Sequence, residues 1–100
     1  MYTIKVSGGT YKSEKFLSTN QNGDVSLWSK DTDSGRQHWE LVKVGPDTYN
    51  IKVYGGTNKG EVFLSSAHEG WKVFLFHEDN GSGRQQWTIS NLGLANIVIN

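Results

Sequence analysis

The chain contains no cysteine, which excludes disulfides and thiolate metal sites and fits a reducing compartment. It has one proline in 100 residues, so only Gly45-Pro46-Asp47 stands out as a strong breaker. It has no charge excess either: ten Lys and Arg balance ten Asp and Glu. No bulk field therefore draws it to nucleic acid or to an anionic membrane, and a neutral partner is the better expectation. No stretch approaches the roughly 20 apolar residues of a membrane span. The opening Met1-Tyr2-Thr3-Ile4-Lys5 carries no apolar leader-like run. The expected location is cytoplasmic, or outside the cell after release without a signal peptide.

What is present is repetition. Ser34-Gly35-Arg36-Gln37-His38-Trp39-Glu40-Leu41 returns 48 residues later as Ser82-Gly83-Arg84-Gln85-Gln86-Trp87-Thr88-Ile89. Tyr2 to Ser18 laid over Tyr49 to Ser65 matches at 12 of 17 positions, and Val25 to Leu41 over Val73 to Ile89 at 8 of 17. The offset grows from 47 to 48 between Ser65 and Val73, so the second copy has one more residue in that loop. Asn96-Ile97-Val98-Ile99 resembles Asn50-Ile51-Lys52-Val53, a weak third start. The expectation is one all-β domain over 1–100, with repeat 1 at 2–48, repeat 2 at 49–94 and a partial third strand at 95–100.

Twelve glycines and a supply of Thr, Val, Ile and aromatics favour strands and turns over helices. Tyr2, Ile4 and Val6 alternate with Thr3, Lys5 and Ser7, a half-buried strand pattern. Lys15 to Ser18, Val25 to Trp28 and a stretch from Trp39 to Val44 follow, with Asn20-Gln21-Asn22-Gly23-Asp24 as an intervening turn. The second copy predicts strands at Tyr49 to Val53, Val62 to Ser65, Val73 to Phe76 and Trp87 to Ile89. The expected core is Ile4, Val6, Leu17, Val25, Leu27, Trp39 and Leu41, with Ile51, Val53, Leu64, Val73, Leu75, Trp87 and Ile89. Alternation points Val25 and Leu27 inward and Trp28 outward.

Gly23-Asp24-Val25-Ser26-Leu27-Trp28 with Gln37-His38-Trp39, and Val73-Phe74-Leu75-Phe76 with Gln85-Gln86-Trp87, resemble the repeat of the ricin-B-type, or QxW, β-trefoil lectins. The resemblance covers both repeats. It implies a β-trefoil-like fold of four-stranded repeats, each able to hold a shallow sugar site. It places the stacking aromatic at Trp28 and Phe76 and the polar glutamine at Gln37 and Gln85. Where the family has an Asp after the second strand's Leu, this chain has Ser18 and Ser65. Where the family has Asn before the Gln, it has Arg36 and Arg84. Asp31 and Asp79, three residues past the aromatic, are candidate replacement acceptors. Three foils make a trefoil and two are present. Either chains share foils as a homo-oligomer, or two repeats close as a pseudo-twofold barrel or sandwich.

Each candidate has a plainer reading beside it. Gln37 and Gln85 can bind a ligand or close a turn from a buried position. Arg36 and Arg84 can clasp a ligand or pair locally with Asp31 and Asp79. Trp71, in the lengthened loop, is exposed for contact or packed over an edge, and Tyr54 is a weaker case of the same kind. Asp31-Thr32-Asp33-Ser34-Gly35 resembles the opening of a calcium loop but lacks its remaining ligands, so an Asx turn is the simpler reading. His38, His68 and His77 share no metal-ligand spacing, and no catalytic motif occurs, which argues against an enzyme. No cofactor is expected. The expected function is a carbohydrate-binding, agglutinin-like module taking glycans or glycoproteins. The alternatives are a protein-binding trefoil such as a protease inhibitor, and a calcium-binding structural domain.

Overall fold

A computed structural model describes residues 1–8, 13–55, 57, 60–70 and 72–90. Trp71 and the expected third start at 95–100 lie outside the described residues. All regular structure among the described residues is β. The strands are β1 (Phe16–Thr19), β2 (Val25–Trp28), β3 (Trp39–Gly45), β4 (Thr48–Val53), β5 (Phe63–Ser66), β6 (Val73–Phe76) and β7 (Trp87–Thr88). β1 and β2 form one antiparallel sheet. The second runs β3-β4-β5-β6, with β7 also on β4, and among the described residues neither sheet closes into a barrel. Among the described residues no helix is long and apolar enough to cross a membrane.

The turns form where side chains can serve the backbone. Asn20 caps the β1–β2 hairpin, its Oδ1 accepting the N–H groups of Asn22 (2.9 Å) and Asp24 (3.0 Å). Gly23 then takes φ 90°, a left-handed conformation that glycine adopts without steric cost. Gly45-Pro46-Asp47, expected to separate the repeats, makes the tight connection of the β3–β4 hairpin, with a register shift between Lys43 and Gly45.

The two halves pair in the same way. Tyr2 bridges Trp39 and Lys5 bridges Phe16; β4 repeats this with Tyr49 opposite Trp87 and Lys52 opposite Phe63. The ammonium of Lys5 stands 5.1 Å from the Phe16 ring centroid, and that of Lys52 stands 5.0 Å from Phe63. The first segment departs from expectation in one respect. Residues 2–6 are held by isolated bridges and single hydrogen bonds rather than by a continuous ladder.

Trp39, Ile51, Val53, Leu64 and Leu75 are the buried core, and Ile4, Leu17, Val25, Leu41, Val62, Trp87 and Ile89 pack against it. Two expected core residues are corrections: Val6 and Val73 are exposed. Val6 lies beyond the Lys5 bridge, and Val73 begins β6 at the turn end of its hairpin, opposite Ser66. Leu27 is half-buried and does not join the cluster, whereas Val62 does. Trp39 is fully enclosed and Trp87 is half-buried. Trp39 lies between Tyr2 on one side and Val53 on the other; among the described residues Trp87 is paired only with Tyr49.

Candidate functional site

The Ser-Gly-Arg-Gln turns are built by one hydrogen-bond scheme used twice. Gln37 is buried, its Oε1 accepting the Thr32 N–H (2.9 Å) while its Nε2 donates to Ser18 Oγ (2.8 Å). Gln85 does the same with the Asn80 N–H (3.0 Å) and Ser65 Oγ (3.0 Å). Each amide therefore ties its turn to the strand one sheet position away, which satisfies polar groups that burial would otherwise strand. The indoles extend the tie: Trp39 Nε1 donates to Leu17 O (3.0 Å) and Trp87 Nε1 to Leu64 O (2.8 Å). The N–H groups of Thr19 and Ser66 close the frame onto Arg36 O and Arg84 O. Both glutamines thus occupy the buried, turn-closing position rather than an exposed one.

Asp31 and Asp79 are corrections. Neither pairs with its arginine: among the described residues, neither Arg36 nor Arg84 has an ion-pair partner. Asp31 accepts the Asp33 N–H (2.9 Å) and meets His38 Nε2 at 2.5 Å. Asp79 accepts from Asn50 Nδ2 (3.0 Å), the Gly81 N–H (3.0 Å) and Gln86 Nε2 (3.1 Å). The Asp33 N–H, then His38, hold the Asp31 carboxyl below its ordinary value of 3.8. Asn50 first, then the Gly81 N–H and Gln86, lower that of Asp79. These carboxylates act as turn anchors.

Between the β1–β2 hairpin and the first Ser-Gly-Arg-Gln turn lies an open cavity of about 440 Å³. Residues 18–22 form one wall, Ser26 and Trp28 the second, and Thr32, Ser34, Arg36 and Gln37 the third. Trp28 ends β2 with 48 % of its surface exposed, as alternation along the strand requires. Three predicted site residues, Trp28, Arg36 and Gln37, thus meet in one place. Their counterparts Phe76, Arg84 and Gln85 share the same chain positions in the second half. There the Phe76 ring is half-buried, edge-on to Phe74 (6.3 Å, 88°) and against His77 (4.4 Å).

Sequence reasoning missed the hydroxyl and amide wall: Ser18, Thr19, Asn20, Gln21, Asn22, Thr32 and Ser34. One signal was available, since Phe-Leu-Ser stands ahead of the turn in both copies and supplies the serine that each glutamine grips. It also missed a grouping that depends on the turn. His38 has no metal-ligand spacing along the chain, yet one ligand atom each of Asp31, Asp33 and His38 lies within 4.8 Å of the others. The second half sets Gly81 and Gln86 at the places of Asp33 and His38 and keeps the contact to the aspartate. An ordinary hydrogen bond therefore suffices at this position.

Neither a protein-family model nor a curated protein sequence matches the chain.

Proposed function

We propose that the chain is a carbohydrate-binding module of trefoil-like build, taking a sugar in the cavity beside Trp28. One observation carries this reading: an exposed indole stands at a cavity otherwise walled by hydroxyls, amides and one guanidinium. A pyranose has an apolar face that stacks on such a ring and a hydroxyl rim that needs a few directed partners. The trefoil-like build is supported by the order of pairing around the core, where the 2–5 segment, β3, β4 and β7 succeed one another. A second sugar position beside Phe76 and Arg84, multiplied by assembly of chains, would give agglutination through avidity.

Trp28→Ala tests the reading on a glycan array. Its binding falls about tenfold or more, since stacking area and orientation are both lost. The melting temperature barely moves, because exposed substitutions change stability by about 0.5 kcal/mol or less. Unchanged glycan binding by that variant overturns the site. Silence across the array, with a protein captured by pull-down, turns the assignment toward a protein-binding module.

A further inference from the structure

The cavity beside Trp28 is electrically one-sided. Among the described residues Arg36 is the one charged residue lining it; every other described lining side chain is a hydroxyl, an amide or the indole. The neighbouring acids are turned elsewhere. Asp31 is held by His38 and by the Asp33 N–H, and Asp24 by the Asn20 amide (3.1 Å). Among the described residues no carboxylate lies within ion-pair distance of Arg36. Its Nε is sealed from solvent without a hydrogen-bond partner. The guanidinium is therefore held partly out of water with no counter-charge, a costly state that an entering anion relieves. Attraction at such a half-desolvated cation is several times stronger than at one fully in water.

A neutral sugar leaves that charge unanswered. The described lining also offers no carboxylate to accept hydroxyl protons, which a neutral, polyhydroxy ligand would use. We infer that this cavity selects glycans with an anionic substituent, a carboxylate or a sulfate ester, seated against Arg36 while the ring stacks on Trp28. Arginine suits both groups, because its planar donors match their paired oxygens. This inference rests on the sugar-binding reading and adds the charge of the ligand to it.

Matched glycan pairs provide the test: sialylated against desialylated, uronate-ended against neutral hexose-ended, and sulfated against unsulfated. Each is measured with the intact chain, Trp28→Ala, Arg36→Gln and Arg36→Lys. The intact chain prefers the acidic member by about tenfold or more, and the preference shrinks as sodium chloride rises. Arg36→Gln brings acidic binding down to the level of the neutral member, and Arg36→Lys keeps part of the preference. The carboxylate and sulfate pairs show which anion the cavity takes. Equal binding of both members, lost together in Trp28→Ala, overturns the charge inference and leaves the sugar reading standing. Acidic binding untouched by Trp28→Ala, or no glycan binding at all, overturns both. Should Arg36→Gln not fold, the matched pairs and their salt dependence on the intact chain decide alone.

Discussion

In the first half of the molecule the Ser-Gly-Arg-Gln turn is crossed by another strand's continuation; in the second half no described residue crosses the same turn. Gly55, just past β4, donates its N–H to Gly35 O at 2.9 Å, and Tyr54 N–H reaches His38 O at 2.8 Å. A methyl group added at Gly55 would sit 2.9 Å from the Gly35 carbonyl carbon, whereas one added at Gly83 meets no described atom within 4 Å. The glutamine, serine and indole bonds beneath the two turns are otherwise the same. A repeat can therefore carry its own frame, while the finish of each turn depends on what the rest of the chain lays across it. The Trp28 cavity adjoins the crossed turn, where tertiary contact fixes the backbone that carries Arg36.

The two indoles offer the largest way to break this comparison. Trp39 is fully enclosed, with the Tyr2 bridge on one side and β4 on the other, so Trp39→Ala should cost about 3–5 kcal/mol. That is a large share of a small domain's stability. Trp87 keeps the same Nε1 bond but is half-buried, so its replacement should cost roughly half as much. Urea unfolding of both variants measures the difference. Equal losses would mean that the two halves are equally enclosed in solution.

The glycines sharpen it further. Gly55→Ala forces backbone apart at the crossing and should destabilise by about 1–3 kcal/mol, the usual cost of overpacking. Gly83→Ala meets no described neighbour but keeps φ near 90°, so it should cost about 1–2 kcal/mol from local strain. Amide exchange separates them. Gly55→Ala should release protection at Thr19 N–H, whose acceptor is Arg36 O, while Gly83→Ala should act only on the second turn. Loss of protection in both turns from either substitution would contradict independent frames.

Much of this architecture was legible along the chain, because a period of two reports which face a residue takes. Val25 and Leu27 turned inward and Trp28 outward, and β2 begins and ends where alternation placed it. The period cannot report whether anything covers a face. Val6 and Val73 carry the inward pattern and are nevertheless exposed. The arginine pairing failed for a related reason. Closeness in sequence suggested Asp31 with Arg36, but an Asx turn aims the aspartate at its own backbone and at His38. The Gly35–Gly55 crossing joins residues 20 apart through tertiary folding, and a glycine pair in the sequence was its only trace. The cavity's hydroxyl wall was invisible for the same reason, being assembled from a hairpin turn and a loop that meet only in space.

The smallest expected effect is in acid, and it again contrasts the halves. Asp31 and Asp79 both titrate below their ordinary value of 3.8 in the folded chain. The folded state then holds protons less tightly than the unfolded chain. Each aspartate's stabilisation is whole above that ordinary value and is lost as pH falls through the lower, folded one. Asp31 is tied within its own turn, to Asp33 and His38, whereas Asp79 reaches Asn50 in β4, 29 residues away. Protonating Asp79 therefore loosens the join between β4 and the second turn, while protonating Asp31 relaxes only its local loop. Asp79→Asn should flatten the acid limb of a pH–stability curve more than Asp31→Asn does, with both variants near the parent in shape at neutral pH. Tryptophan fluorescence through an acid titration reads this directly, and acid limbs that coincide for the parent and Asp79→Asn would show that the Asn50 link carries no weight in holding the second turn to the sheet.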